Sequence, residues 1–398
     1  MKERETNGRI APNPAGHLST RVAHAGSALG TGVWPLSDPL SLSTVYATHD
    51  PASVEQRAVA DPPEPNYARD GLPNVRALER AVAHLERGED AVAVPSGMAA
   101  VTVTLLTLLR AGDHVVTVAD GYCEIQGLLA EEMARFGVVA TCVAAGDPNA
   151  ILQSIGPSTR MVIIESIANP SLRVADLPAI ATGAKAKGVL LCVDNTLATP
   201  LLCRPLEHGA DLVWHSATKY LGGHHDLVAG VVAGSGDLIA AIRRQSQRLG
   251  MTLGAFDAWL ALRGIHTLAP RMNWICSTAA TVAQFLATHP AVASVGYPGL
   301  PHHPDADVIA RLLPDGAGGV VTCTLRGGPP AAAAVIRRMY LIPYALSLGG
   351  TVTTVCYPPL LDVKQQPGSG SATLRLSIGL EAAADLIADL EQALACYE

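Results

Sequence analysis

Runs of Val, Ile, Leu and Ala punctuated by Gly, Pro and Asp recur along the middle of the chain, with helical periodicity between them. Those at Ala91–Val94, His114–Val118, Val138–Val143, Met161–Glu165, Val189–Asp194, Leu212–His215 and Val228–Ala233 predict strands. Three- and four-residue spacing of Val75, Leu78, Val82 and Leu85 predicts a helix from Pro73, with Gly88 as its stop. Helical stretches fill 97–110, 124–136, 147–154 and 176–187. Alternating strands and helices, with strands apolar nearly throughout, predict a parallel sheet covered on both faces. In such sheets ligands sit beyond the carboxyl ends of the strands. Ser96-Gly97, Asp120-Gly121-Tyr122, Glu165 to Asn169 and Asp194-Asn195-Thr196 all fall there.

Beyond about residue 236 the pattern turns helix-rich, with strands expected only at Ala291–Val295, Gly319–Leu325 and Thr373–Ser377. A closing helix from Glu381 carries Leu386, Ile387, Leu390 and Leu394 on one face. Residues 1–70 are rich in Pro, Gly and Ser and read as an extended arm, lying on the rest of the chain or on a neighbouring subunit. The division expected is therefore an arm over 1–70, a ligand-binding domain over 71–236 and a smaller α/β domain over 237–398.

Composition narrows the class. Of the 398 residues, 49% are hydrophobic and 16% charged, which favours a well-buried globular chain over a disordered one. A net charge of -7 offers no basic face for nucleic acid. Eight cysteines without a C-x-x-C pair, several in apolar runs, suit a reducing cytoplasm. The N-terminus carries no apolar signal core, and Pro95-Ser96-Gly97 splits the uncharged stretch 91–109 into pieces too short to span a membrane.

The stretch with most chemistry is Leu212 to Asp226, L-V-W-H-S-A-T-K-Y-L-G-G-H-H-D. Its apolar run delivers Ser216, Thr218 and Lys219 at a strand end, and Gly222-Gly223 allow a sharp turn. A desolvated lysine amine condenses with aldehydes, and hydroxyls beside it can hold an anion. Pyridoxal 5'-phosphate has both parts. Ser96-Gly97-Met98 open a helix after a strand, a place for a phosphate as well as an ordinary cap. Asp194 can face a pyridine nitrogen or cap a turn. Asn169 can bond a ring hydroxyl or mark a turn, and Tyr122 can stack on the ring or sit at a boundary. Arg375 can grip a substrate carboxylate or serve a structural ion pair.

Taken together, N-Y-A-R-D-G-L-P-N, S-G-M-A-A, V-D-N-T-L-A-T-P, H-S-A-T-K-Y-L-G-G-H and L-R-L-S-I-G-L-E resemble the cysteine/methionine-metabolism group of pyridoxal-phosphate enzymes. That group includes cystathionine γ-synthase, the cystathionine lyases, methionine γ-lyase and the O-acylhomoserine sulfhydrylases. The resemblance runs from Thr20 to the final helix. It implies an α/β, PLP-dependent transferase-like fold (aspartate aminotransferase fold type I), a mostly parallel seven-stranded sheet plus the smaller C-terminal α/β domain. It further implies Lys219 as Schiff-base lysine and proton shuttle, Asp194 as pyridinium partner, Asn169 at O3' and Tyr122 on the ring. Ser96, Gly97, Met98, Ser216 and Thr218 would form the phosphate cup. Tyr67 and Arg69 would reach it from an adjacent subunit of a homotetramer, a dimer of dimers. Ser347, Arg375, Leu346 and Tyr46 would meet a small amino-acid substrate.

Departures from the family pattern concern the reaction. Tyr122 is followed by Cys123-Glu124, where small residues are usual. Leu346 stands where several members carry Glu or Tyr, which suits a substrate whose distal end is not an amino acid. Val352-Thr353-Thr354 and Cys356-Tyr357-Pro358-Pro359 replace further familiar segments. The expected activity is γ-elimination or γ-replacement on an amino acid with a leaving group at Cγ, in a specialised member of secondary metabolism; β-elimination on a cystathionine- or cysteine-like substrate is the alternative. A transaminase is the nearest rival and a non-catalytic cofactor-binding protein another. No G-x-G-x-x-G follows the first strand, against a dinucleotide enzyme. Adjacent pairs such as His224-His225 and His302-His303 do not face one metal easily, so no metal is expected.

Overall fold

The computed structural model describes residues 17–26, 35–59, 66–357 and 372–395. Two short helices, α1 (Leu18–Ala23) and α2 (Pro51–Val59), lie where an extended arm was expected. Helices this short show no sustained periodicity in a sequence window. Val22 and Ala25 are buried, Arg21 Nη2 donates to the His84 carbonyl at 2.8 Å, and Trp259 Nε1 donates to the Asp38 carbonyl at 2.8 Å. Much of the described arm is thus fastened to its own chain.

α3 (Pro73–Glu86) starts with proline in its first turn and buries Val75, Leu78, Val82 and Leu85. It ends at Arg87 in the left-handed region (φ 65°), one residue before the expected stop at Gly88. There follow β1 (Asp90–Val94), α4 (Gly97–Leu108), β2 (His114–Val118) and α5 (Cys123–Gly127), which runs on through irregular helical turns to Phe136. β3 (Val139–Val143), α6 (Pro148–Gln153), β4 (Thr159–Glu165), α7 (Leu177–Ala186), β5 (Leu190–Asp194), α8 (Thr199–Leu202), β6 (Leu212–Ser216) and β7 (Gly230–Gly234) complete the first sheet.

Its strand order is β1-β7-β6-β5-β4-β2-β3. β2 to β6 run parallel, whereas β7 is antiparallel to both β1 and β6. The mostly parallel seven-stranded sheet that the resemblance implies is thus present, with β7 as the strand that reverses. The link from β6 to β7 is built of turns without a crossover helix, so the chain returns alongside in the opposite direction. Ala93, Val213 and Val231 pack into one core and Val92, Trp214 and Val232 into another, so helices cover both faces.

The rest comprises α9 (Gly236–Leu249), α10 (Ala255–Ile265), α11 (Leu268–Thr288), β8 (Val292–Gly296), α12 (Ala306–Leu312), β9 (Val320–Leu325), α13 (Gly328–Arg338), β10 (Thr354–Cys356), β11 (Thr373–Ser377) and α14 (Ala383–Leu394). A second, wholly antiparallel sheet runs β10-β11-β9-β8. Its edge strand β10 is too short to have shown an alternating pattern. The closing helix buries Leu386, Leu390 and Leu394. No described helix is long and apolar enough to cross a membrane.

Candidate active site

The carboxyl ends of β4, β5 and β6 bring Glu165, Asp194 and Trp214 into register, one beside the next. They line a cavity of about 210 Å³, closed on other sides by Gly97, Met98, Tyr122, Asn169, Ser216, Thr218, Lys219 and Leu348. Expected residues from five separate segments thus meet in one place.

Lys219 sits in the tight turn after β6, where Gly223 N–H donates to its carbonyl at 2.7 Å and Gly223 adopts φ +73°. Its Nζ donates to Ser347 Oγ at 3.3 Å. Burial and then the Arg375 guanidinium pull its pKa below the usual lysine range, with Asp194 opposing. The Ser347–Gly350 loop lies directly on this turn: a Cβ on Gly349 (φ +81°) would come within 2.7 Å of the Tyr220 nitrogen.

Burial raises the pKa of Asp194, against hydrogen bonds from the Thr196 side chain and backbone, the latter 2.8 Å to Oδ1. Glu165 accepts from the backbone N–H of Tyr122 at 2.6 Å on Oε1 and of Asn169 at 2.8 Å on Oε2. Burial, then the Asp194 charge, push it up to about 8, against those two bonds. Asn169 Oδ1 accepts from Arg375 Nη1 at 2.8 Å. Arg375 comes from β11 of the second sheet, is 4% exposed, and its Nε has no partner among the described residues. One side of the site therefore runs Tyr122, Glu165, Asn169, Arg375 as a hydrogen-bonded chain.

At the other end α4 begins at Gly97, pressed so closely on β6 that a Cβ there would lie 2.9 Å from Ser216 Cβ. Ser96 Oγ accepts from Ala99 N–H at 3.0 Å, so its side chain caps the helix. The first N–H groups of α4 have no carbonyl within the helix and can serve an anion. Thr218 Oγ1 bonds both the N–H and the carbonyl of Ala229, holding the β6–β7 link closed.

This donor set suits pyridoxal phosphate. An amine is available for the aldehyde, a carboxylate for the ring nitrogen and a helix N-terminus for the phosphate, while a buried guanidinium N–H remains for a carboxylate. Tyr122, 39% exposed, edges the cavity, and its hydroxyl pKa is raised by burial and by Glu124.

Six expected residues do not line this chain's cavity: Ser347 and Arg375 reach its lining through Lys219 and Asn169, and four others lie outside it. Arg69 stacks its guanidinium over the Tyr67 ring at 5.4 Å, and Tyr67 is 43% exposed. Tyr46 packs under Arg57, 5.4 Å from the guanidinium carbon, and Leu346 is 55% exposed. Of the divergent segments, Thr353 is tied through its N–H and hydroxyl to Glu381, and Cys356 pairs with Arg375 across β10 and β11. Pro358 and Pro359 lie outside the described residues. Sequence reasoning did not single out Glu165, Thr196, Trp214 or Leu348 for roles. Glu165 carried a signal, since it ends its strand as Asp194 ends the next.

The family profile "Cys/Met metabolism PLP-dependent enzyme" matches residues 19–395. The chain is 37% identical over 399 residues to cystathionine gamma-synthase of Mycobacterium tuberculosis, covering 99% of this chain and 100% of the relative. It is 39% identical over 392 residues to L-methionine gamma-lyase of Pseudomonas deceptionensis, covering 95% and 97%. With cystathionine beta-lyase of Coxiella burnetii it shares 37% over 392 residues, covering 96% and 99%. The crystal structure of metB from Corynebacterium glutamicum matches with a TM-score of 0.90 at 33% identity, covering 97% of this chain and 100% of that one. A lysine-bearing cavity at the strand ends, in a chain matched from end to end by these relatives, establishes that this protein belongs to the Cys/Met metabolism family of pyridoxal-phosphate-dependent enzymes, which act on small amino acids and are generally oligomeric.

Proposed function

We propose that the protein eliminates or replaces a leaving group at Cγ of an amino acid, such as a homoserine ester or a methionine-like thioether. The observation that carries this is the Lys219 amine, partly buried with a lowered pKa, 3.3 Å from Ser347 and under the field of Arg375. When bound, the cofactor supplies an electron sink that makes the protons on Cα and then Cβ removable. Lys219 would hold its aldehyde and, once displaced by the substrate amine, carry protons between Cα and Cβ. Asp194 would face the ring nitrogen, Tyr122 the ring, Asn169 its hydroxyl, and the start of α4 with Ser216 and Thr218 the phosphate. Arg375, oriented by Asn169, would take the substrate carboxylate as a bidentate partner.

The same reading assigns cofactor binding to 71–236 and makes 237–398 the smaller α/β domain that carries Ser347 and Arg375. It makes the protein a homotetramer working in the cytoplasm, with Tyr67 and Arg69 serving the neighbour's phosphate. Their position outside this chain's cavity supports that assignment. The apolar, exposed Leu346 favours a substrate without a distal amino-acid end. The β-lyase relative keeps Cβ elimination as the second reading.

Incubation with O-acetylhomoserine, methionine, cystathionine and cysteine, with and without a thiol, tests the reading. Release of 2-oxobutanoate or formation of a γ-substituted product supports it. Pyruvate alone supports the second reading. Keto acids formed only with an amino acceptor would mean a transaminase and sink both.

A further inference from the structure

Behind the sheet, on the face away from the cavity, lies a polar cluster that the reaction does not use. Glu86, the last residue of α3, is 0% exposed, with Asn195 at 0% and His215 at 1%. Glu86 Oε1 accepts from Asn195 Nδ2 at 2.7 Å and from His215 Nε2 at 2.6 Å. Asn195 Nδ2 also donates to the Cys203 carbonyl at 2.8 Å. Glu86 Oε2, His215 Nδ1 and Asn195 Oδ1 find no partner among the described residues.

Such an arrangement is expensive. A carboxylate is disfavoured in an apolar core, and again at the carboxyl end of a helix. Its place in the fold supplies a reason. Asn195 follows Asp194, and His215 precedes Ser216. Neighbouring residues on a strand point to opposite faces. Glu86 therefore grips from behind the two strand ends whose adjacent side chains line the cavity. Across the same junction Ser216 N–H donates to Thr196 Oγ1 at 2.9 Å, and Thr196 N–H donates to Asp194.

We propose that Glu86 is a positioning residue for the cofactor, joining the ends of β5 and β6 through Asn195 and His215 so that Asp194 and Ser216 keep the spacing that a ring nitrogen and a phosphate require. This rests on the cofactor assignment made above. The role is geometric, so an uncharged acceptor of the same shape serves nearly as well.

The test uses cofactor-free protein and equilibrium dialysis against pyridoxal phosphate. Glu86→Ala should weaken binding about ten-fold or more, the scale of one buried donor left unpaired. The comparison is with Val335→Ala, a core variant in α13 of the second sheet's layer, at equal loss of melting temperature. Glu86→Gln should bind within about three-fold of the parent, a difference well under one lost hydrogen bond. Equal weakening in Glu86→Ala and Val335→Ala overturns the proposal. So does Glu86→Gln binding as poorly as Glu86→Ala. A second measurement needs no variant: in parent protein carrying ¹⁵N-histidine, the His215 imidazole signals should move when pyridoxal phosphate is added. Unmoved signals overturn the proposal while leaving the cofactor assignment intact. A parent chain that binds no pyridoxal phosphate overturns both.

Discussion

Glu165 and Asp194 are register partners at the ends of neighbouring parallel strands, so two carboxyl groups face one cavity. The folded chain holds the Glu165 proton up to about 8, against a usual value of 4.5. Between those values the folded state binds more protons than the unfolded one, so stability falls as pH rises through the window and levels off above it. Cofactor-free Glu165→Gln should lose that part of the slope. Urea unfolding followed from about pH 5 to about pH 9 reads it directly; an unchanged slope would show that Glu165 does not titrate there.

Arg375 lowers the Lys219 pKa through its charge. In Arg375→Met the amine should stay protonated to higher pH, so borohydride trapping of the cofactor on Lys219 should shift its pH midpoint upward. Lys219→Ala should leave nothing to trap, with all cofactor lost on dialysis. Trapping in that variant would place the covalent link elsewhere.

Arg271 is buried beneath the Lys219 turn and donates to the carbonyls of Tyr220 at 2.8 Å and Gly264 at 2.7 Å and to Thr267 Oγ1 at 3.1 Å. Burial pulls its pKa down to about 10. Replacing it with Met strands two carbonyl groups. Arg271→Met should cost about 1–3 kcal/mol in urea unfolding and loosen the turn. Lysine at that position cannot reach all three acceptors in the same fork and should recover only part of the loss.

Gly349 combines a left-handed backbone (φ +81°) with close packing on the Lys219 turn, where an added Cβ would lie 3.0 Å from the Lys219 carbonyl carbon. Gly349→Ala adds strain and a contact with backbone, which cannot swing aside. The expected result is a loss above about 1 kcal/mol in stability, together with a raised KM, since the Ser347 loop must lift. Normal KM at reduced stability would detach this loop from substrate binding.

Tyr67 and Arg69 give a test of assembly. If they complete a neighbour's site, Arg69→Ala and Lys219→Ala are each inactive alone, and mixed oligomers regain about a quarter of the parent activity per site when sites act independently. No recovery after subunit exchange, verified by mass, would place Arg69 in its own chain's site.

Much of the scaffold was legible because a strand buried on both faces is apolar throughout and a packed helix repeats every three to four residues. Lys219 stood out for a related reason, being a cation at the end of an apolar run. Strand direction left no such mark: β7 is as apolar as the parallel strands of the sheet, and only the absence of a crossover helix turns it round. The arm expected to be extended contains α1 and α2, whose few turns leave too short a repeat to detect.

The side-chain connections of the site belong to another class. Asn169 meets Arg375 across 206 positions, and Glu86 meets His215 across 129. What the sequence by itself determined was which segments are buried, in what order they form strands and helices, and which residues end those strands. The tertiary structure alone decided that Glu165 bridges Tyr122 and Asn169, that the Gly349 loop rests on Lys219, and that Glu86 holds the sheet from behind. Burial is written locally in each segment's own residues, whereas a hydrogen bond between distant segments exists only once packing has set both ends at bonding distance.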